Sequence, residues 1–170
     1  AVVGPVRPPA PHLEAALLRL RPALPHLERI SLGLYGEPLL HKGIPGFLRG
    51  LRSAGCTAYV NVLTNGVALN PAVREALVDA QINHVCVGLH GAPGTESMLR
   101  YSKRGADYAR VMSNVAALLE LRRAAARALP TVALRVVLFS WTDSAEAMDR
   151  FRADVRRLSL GPEDRYHWAL

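Results

Sequence analysis

Three segments of the sequence carry side chains and backbone that could bind a ligand, and each follows a short apolar run. They are Tyr35-Gly36-Glu37-Pro38, Thr64-Asn65-Gly66 and Gly88-Leu89-His90-Gly91. If the runs are parallel strands, the segments meet at one sheet edge, where parallel α/β folds hold ligands. A buried Glu37 carboxylate would need a partner, and a ligand ammonium group suits it. Singly, Gly-Glu-Pro is more often a helix-capping turn and Asn-Gly a plain turn, so the prediction depends on their joint placement.

Helical and extended patterns alternate along the chain. They predict helices over residues 12–27, 44–54, 70–80, 106–129 and 144–158, and strands over 28–34, 57–63, 83–89 and 131–139, with a further strand from 166. Asn70 and Ser144 are expected as N-caps. Strand–helix units of this length form right-handed parallel crossovers, and nearly continuous apolar runs favour a sheet covered on both faces. The sequence therefore predicts an α/β fold of parallel βα units in a single domain, residues 1–170, with an extended lead-in over 1–11.

The chain is strongly basic, but its arginines are scattered. The formal net charge is +7 at pH 7, from 21 Lys and Arg against 14 Asp and Glu. A nucleic-acid footprint needs clustered cations, so we attribute the excess to overall composition and keep a nucleic-acid-binding domain as an alternative. Arg122, Arg123 and Arg127 are expected on the solvated face of a long helix.

Cysteine and histidine spacing limits the kinds of site that the chain could hold. Cys56 and Cys86 are its only cysteines, and their separation argues against a disulfide framework or a four-thiolate metal site. Two separate thiols fit a reducing cytosol, so we expect a cytoplasmic protein. The six histidines show no paired metal spacing, and no metal ligand is predicted. No apolar run reaches membrane-spanning length, so no membrane partner is expected.

The order and spacing of the three segments resemble the radical S-adenosylmethionine (SAM) enzyme superfamily. Residues 35–41 are similar to the Gly-Glu-Pro signature after the second strand of that family's barrel. Thr64-Asn65-Gly66 resembles the Thr-Asn-Gly that ends the third strand, and residues 87–91 resemble the Ser-Leu-Asp-Gly that ends the fourth. The match runs from about residue 27 to the C-terminus. It implies part of a TIM-like (β/α) radical SAM barrel, incomplete in this chain.

The resemblance implies SAM-binding roles for named residues. Gly36 and Glu37 would bind the SAM amino group, position 88 would lie near the ribose, and Arg104 would pair with the SAM carboxylate. The implied cofactor-binding residues are Tyr35, Gly36, Glu37, Pro38, Thr64, Asn65, Gly88, His90 and Arg104. Two positions depart from the family pattern: Gly88 replaces a hydroxyl residue, and His90 replaces the usual acid but could still donate a hydrogen bond. No catalytic residue is assigned.

This chain lacks the cysteine ligands of the family's iron–sulfur cluster. In the family, a reduced [4Fe–4S] cluster cleaves SAM to a 5′-deoxyadenosyl radical, which abstracts a hydrogen atom from the substrate. The C-x-x-x-C-x-x-C motif follows the first strand, but residues 1–27 contain no cysteine, and neither Cys56 nor Cys86 has ligand spacing. A cluster is expected only with an upstream cysteine motif. The missing initiator Met and an end within a predicted strand favour a section of a longer protein.

These features predict a radical SAM domain. In its complete form the enzyme would cleave SAM reductively to start radical modification of an unknown small-molecule or peptide substrate, with an electron donor as partner. The chain alone is not expected to be competent, because it lacks the cluster ligands. The first alternative is a degenerate, cluster-less barrel that acts as a binding or scaffold domain. The second is the basic nucleic-acid-binding domain, although a nucleic-acid partner is not expected.

Overall fold

Parallel strands that follow one another along the chain form a single sheet. The computed structural model of the chain describes residues 11–90, 106–137 and 144–169. The strands are β1 (Arg29–Leu32), β2 (Tyr59–Thr64), β3 (His84–His90), β4 (Thr131–Val137) and β5 (Arg165–Ala169). They lie in the order β1-β2-β3-β4-β5, and every pairing is parallel. The predicted α/β fold is confirmed, and such a sheet forms the wall of a partial TIM-like barrel.

Helices connect the strands. They are α1 (Pro11–Leu20), α2 (Ile44–Ser53), α3 (Pro71–Asp79), α4 (Ala106–Ala124) and α5 (Ala145–Arg157). Both predicted N-caps are confirmed, since Asn70 Oδ1 accepts from Val73 N at 3.1 Å and Ser144 Oγ from Ala147 N at 3.2 Å. The first helix ends at residue 20, not at 27, because prolines follow it and a 3₁₀ helix takes over at Leu24–His26. No helix within these described ranges is long and apolar enough to cross a membrane.

The two faces of the sheet differ. One face packs under the helices, and its residues on the three central strands are buried: Val60, Val62, Val85, Val87, Leu89, Val132, Leu134 and Val136. The other, which we call the open face, carries residues that are half-buried or exposed, apart from the buried Ala133: Arg29, Ser31, Tyr59, Asn61, Leu63, His84, Cys86, Gly88, His90, Thr131, Arg135, Arg165 and His167. The prediction of two covered faces is therefore wrong for the part of the chain that the structure describes. Polar side chains alternate with the valines, as in a sheet with one core face.

A buried ion pair ties the amino-terminal ends of β4 and β5 to α4. Arg122 donates to Asp164 through both terminal nitrogens, at 2.7 and 2.5 Å, and Nη1 also donates to the Pro130 carbonyl at 2.8 Å. The two side chains are 7% and 0% exposed. The prediction that Arg122 is solvated is wrong, because its helix position faces the start of β5; Arg123 and Arg127 are exposed as predicted.

A second arginine holds the amino-terminal end of β2. Arg52 donates to the carbonyls of Cys56 at 2.7 Å and Ala58 at 2.9 Å through Nη1. Its Nη2 donates to Asn83 Oδ1 at 2.8 Å, and that oxygen also accepts from Val60 N at 2.8 Å. Arg52 therefore fixes how α2, β2 and β3 meet, and so where the opposite ends of these strands emerge.

Candidate functional site

The carboxyl ends of the strands border one cleft. Its volume is about 580 Å³, within the usual range for small-molecule sites. The cleft is lined by Gly33, Leu34, Gly36, Glu37, Leu63, Thr64, Asn65, Cys86, Gly88, His90 and Arg135. The loops after β1 and β2 and the strands β2, β3 and β4 contribute to this lining, so parallel pairing does bring the three sequence segments to one edge.

The Glu37 carboxylate joins the loop after β1 to the end of β2. Oε1 accepts from Thr64 Oγ1 at 2.7 Å and from Leu39 N at 3.1 Å, while Oε2 accepts from Asn65 N at 2.7 Å. The bond to Leu39 makes Glu37 the N-cap of the 3₁₀ helix Pro38–Leu40. Glu37 thus has the capping role that is common for Gly-Glu-Pro. The capping hydrogen bond helps to hold its half-buried carboxylate at the cleft wall.

The glycine that ends β1 lets this loop approach β2. Gly33 has φ +102°, and a Cβ there would clash with the Leu63 carbonyl oxygen and lie 3.1 Å from Pro38 Cδ. Only glycine combines this backbone conformation with so close an approach. Gly36 also has a positive φ of +90°, but a Cβ there would meet nothing within 4 Å. The backbone at Gly36 is therefore open to the cleft, while Gly33 serves strand packing.

The Thr-Asn-Gly segment after β2 is held from two sides. Thr64 Oγ1, which donates to Glu37, also accepts from Gly66 N at 3.0 Å. From α4, Asn114 Nδ2 donates to the carbonyls of Gly66 at 3.0 Å and Val67 at 3.3 Å. Asn114 thus supports the loop without lining the cleft. Hydrogen bonds within the chain therefore hold the segment in place.

The floor of the cleft is formed by β3 and β4. Gly88 pairs in register with Arg135, and a Cβ at position 88 would come no closer than 3.8 Å to the Thr64 carbonyl oxygen. The absence of a side chain therefore leaves open space beside the guanidinium. Burial raises the pKa of the Cys86 thiol, and the positive charge of Arg135 opposes this shift only in part. Cys86 is a neutral thiol near neutral pH, in keeping with a packing role.

The structure places the predicted site residues in three groups. Those in the cleft lining are Gly36, Glu37, Thr64, Asn65, Gly88 and His90. Tyr35 is wholly exposed, and Pro38 begins the 3₁₀ helix; neither lines the cleft. Arg104 lies outside the described residues. Arg135 lines the cleft but was not predicted, and the signal that could have found it is a lone arginine within the valine-rich run of β4.

The cysteines do not fit an iron–sulfur cluster. Cys56 is buried ahead of β2, at the opposite end of the sheet from the cleft, and Cys86 lies within β3. Within the described ranges, no group of three or more His, Cys, Asp and Glu side chains could hold a metal ion. Because thiolate ligation needs several converging cysteines, no step of a reaction can be assigned to a cluster held by these residues.

Comparisons with known proteins give matches among solved structures alone. No protein-family model and no curated protein sequence matches the chain. SuiB from Streptococcus suis bound to S-adenosylmethionine aligns with a TM-score of 0.64 and 15% identity, covering 98% of this chain and 34% of SuiB. SuiB bound to the precursor peptide SuiA gives 0.64 and 16%, covering 99% and 34%. Archaeal TYW1 gives 0.56 and 11%, covering 94% and 56%.

These structural matches define the class of fold. SuiB and TYW1 are radical SAM enzymes, and the chain has a radical SAM-like fold. The resemblance predicted from the sequence motifs is confirmed at this level. The chain spans about a third of the length of the SuiB chains that it matches.

Proposed function

We propose that this barrel belongs to a radical SAM enzyme and that the cleft at its strand ends binds SAM. The observation that carries the proposal is the lining of one cleft by Glu37, by Thr64 and Asn65, and by Gly88 and His90, which lie at or just after the ends of three successive parallel strands. The bound SAM in the SuiB structure supports a cofactor of this kind in this fold. When bound beside a reduced cluster, SAM supplies radical chemistry; this chain's residues would bind and orient it.

Glu37 is suited to bind the SAM ammonium group. A carboxylate offers about four lone-pair sites, and three hydrogen bonds to Glu37 come from within the chain. The remaining site is on Oε2, which accepts only from Asn65 N. Because three donors already hold the carboxylate, a ligand ammonium would meet an oriented acceptor and would cost little side-chain entropy. The capping and binding roles of Glu37 are therefore compatible.

Arg135 is suited to bind the SAM carboxylate, a role that the sequence motifs alone gave to Arg104. The Glu37 carboxylate is bonded at the end of β2, and β2 and β4 are two strand spacings apart, about 10 Å. An arginine side chain that projects from β4 can span much of this gap. Gly88 on the intervening strand has no side chain to separate the two groups. A forked guanidinium suits a carboxylate, so Glu37 and Arg135 would bind opposite charges of one amino-acid moiety.

The complete enzyme would modify an unidentified substrate by a radical route, with an electron donor. The precursor peptide bound to SuiB supports a peptide as one form of substrate, beside small molecules. A second candidate function is a binding or scaffold domain that holds no cluster. The positions of Cys56 and Cys86 favour it, because the two cysteines do not converge to hold a cluster. Both candidates share the cleft, and they differ in whether a cluster can be reconstituted in a protein that contains this chain.

Binding measurements on the 170-residue chain test the SAM proposal. We expect SAM to bind and Glu37→Gln to weaken binding roughly ten- to hundredfold, the range for a hydrogen bond to a charged group. Methylthioadenosine, which lacks the amino-acid moiety, should bind wild type and variant about equally, which separates a lost ammonium contact from a collapsed cleft. The matched control is Glu14→Gln, an exposed residue on α1. Absence of SAM binding by the wild-type chain, or equal loss for both ligands, would count against the proposal.

A further inference from the structure

The open face below the cleft is lined with basic side chains. Arg29, Arg135, Arg165 and His167 are exposed on it, and His84 is half-buried. The strand positions that point to this face include no Asp or Glu in any described strand. The net charge of the chain is spread over its sequence, yet the fold gathers part of it on one face of the sheet.

The strand register places these groups side by side. Arg135 on β4 pairs with His167 on β5, and Ala133 pairs with Arg165, so both β5 side chains share the face of Arg135. Their electrostatic effect on β3 agrees with this placement. Burial lowers the pKa of His84, and the positive charge of Arg165 lowers it further; the negative charge of Asp164 opposes this shift, and His167 has a smaller lowering effect. Basic groups from β3, β4 and β5 therefore face one space.

Neighbouring carboxylates offset the positive charge of this surface only in part. None of the ion pairs found between described residues involves Arg135 or Arg165. Asp164, next to Arg165 in sequence, is committed to Arg122 and has a side chain that is 0% exposed. Partly shielded surfaces of one sign concentrate the field and attract the opposite charge. The surface is thus complementary to an anion.

We infer that the substrate of this barrel carries a carboxylate or phosphate group, which binds on the open face to Arg165 with His167 and His84 beside it. This inference rests on the proposed function, because it assigns the surface to the substrate and leaves Arg135 at its upper edge to SAM. Arg165 supplies a forked donor for oxyanions. The His84 ring is already positioned, since Nδ1 lies 2.8 Å from Thr131 Oγ1. The surface continues from the cleft floor through Cys86 and Arg135, so the anion would anchor the substrate close to the SAM site.

Titration calorimetry at low ionic strength tests the inference with two probes, citrate for carboxylates and pyrophosphate for phosphates. We expect saturable binding of one probe by the 170-residue chain, weakened roughly fivefold or more in Arg165→Gln. The matched control is Arg156→Gln, which removes an exposed arginine on the helix side and should change binding less than twofold. In NMR spectra, the His84 and His167 imidazole resonances should shift with the preferred probe in wild type and much less in Arg165→Gln.

The outcomes separate this inference from the SAM proposal. Equal weakening by the two arginine variants, or no saturable binding of either probe while SAM still binds, would overturn the inference and leave the SAM proposal standing. Anion binding at Arg165 without any SAM binding would retain the site but overturn the proposed function, and with it the assignment to a substrate. An oligonucleotide that binds far more tightly than either probe and is equally sensitive to both variants would favour a nucleic-acid surface and overturn the inference.

Discussion

Replacing Asp164 by Asn should destabilise the fold strongly, although the residue lies far from the cleft. Its carboxylate accepts from two Arg122 nitrogens, from Val132 N at 2.7 Å and from Gly161 N at 2.7 Å. The amide has the same shape but no charge and a single acceptor oxygen. The variant would leave the Arg122 guanidinium, 7% exposed, without a counter-charge.

The expected loss follows from that burial. Removing one partner of a buried ion pair typically costs about 3–5 kcal/mol, a large fraction of the 5–15 kcal/mol by which a domain is usually stable. Urea denaturation followed by circular dichroism measures it directly. With a typical slope of about 1–3 kcal/mol per molar urea, a loss of about 3 kcal/mol would lower the midpoint by about 1–3 M.

A matched variant isolates the effect of burial. Asp79 pairs with Arg49 at 2.9 Å, but the two side chains are 59% and 42% exposed. Asp79→Asn should therefore cost less than about 1 kcal/mol. A loss below about 1 kcal/mol for Asp164→Asn, or equal losses for the two variants, would refute the view that the buried pair holds β5 in place.

The stability that the Asp164 carboxylate contributes should depend on pH in the acidic range. Burial raises the pKa of Asp164, but hydrogen bonds from Arg122, Gly161 and Val132 outweigh it and leave the pKa lowered. Since the folded-state pKa is below the unfolded value of about 3.9, the stabilisation is fully present above that value and is lost as the pH falls through the folded-state pKa. The difference in unfolding free energy between wild type and Asp164→Asn should therefore shrink on acidification below about pH 4. A difference that stayed constant with pH would contradict the assigned shift.

Two further substitutions test how the cleft is built. Gly33→Ala should cost more than about 1 kcal/mol in urea denaturation, because it combines strain at positive φ with a clash against the Leu63 carbonyl; Gly36→Ala has the strain without the clash, and an equal cost for both would rule out the packing argument. Asn114→Ala should speed hydrogen exchange in the segment 64–69, because the Gly66 and Val67 carbonyls lose their donor, whereas Ser113→Ala, an exposed neighbour on α4, should not; unchanged exchange would show that Asn114 does not order the segment.

The sequence was sufficient to predict the parallel strands and the meeting of their ends. This succeeded because the signals are local. Glycine, proline and asparagine mark the turn after each apolar run, and parallel pairing then brings the strand ends together. Even Glu37 could be singled out, although two of its three hydrogen bonds come from the end of β2 and the residue after it, 27 and 28 residues away.

Arginine placement and the second sheet face could not be predicted in the same way. Arg52 and Arg122 donate to acceptors far along the chain: Arg52 to Asn83, 31 residues away, and Arg122 to Asp164, 42 residues away. Nothing local distinguishes these two from solvated arginines, since a long flexible stem can reach a distant carbonyl or carboxylate. The open face could not be predicted from β3, because Cys86 and Gly88 are small residues that make this strand look uniformly apolar.

The strictly sequential strand order has a consequence for how the protein is made. Each strand finds its partner in the strand that was translated just before it, so no segment of the described sheet must wait for a distant region to emerge from the ribosome. Assembly can advance as a growing wall, with every newly added strand covering the edge left by its predecessor. Such a topology limits the time during which an unpaired edge is available to other nascent chains.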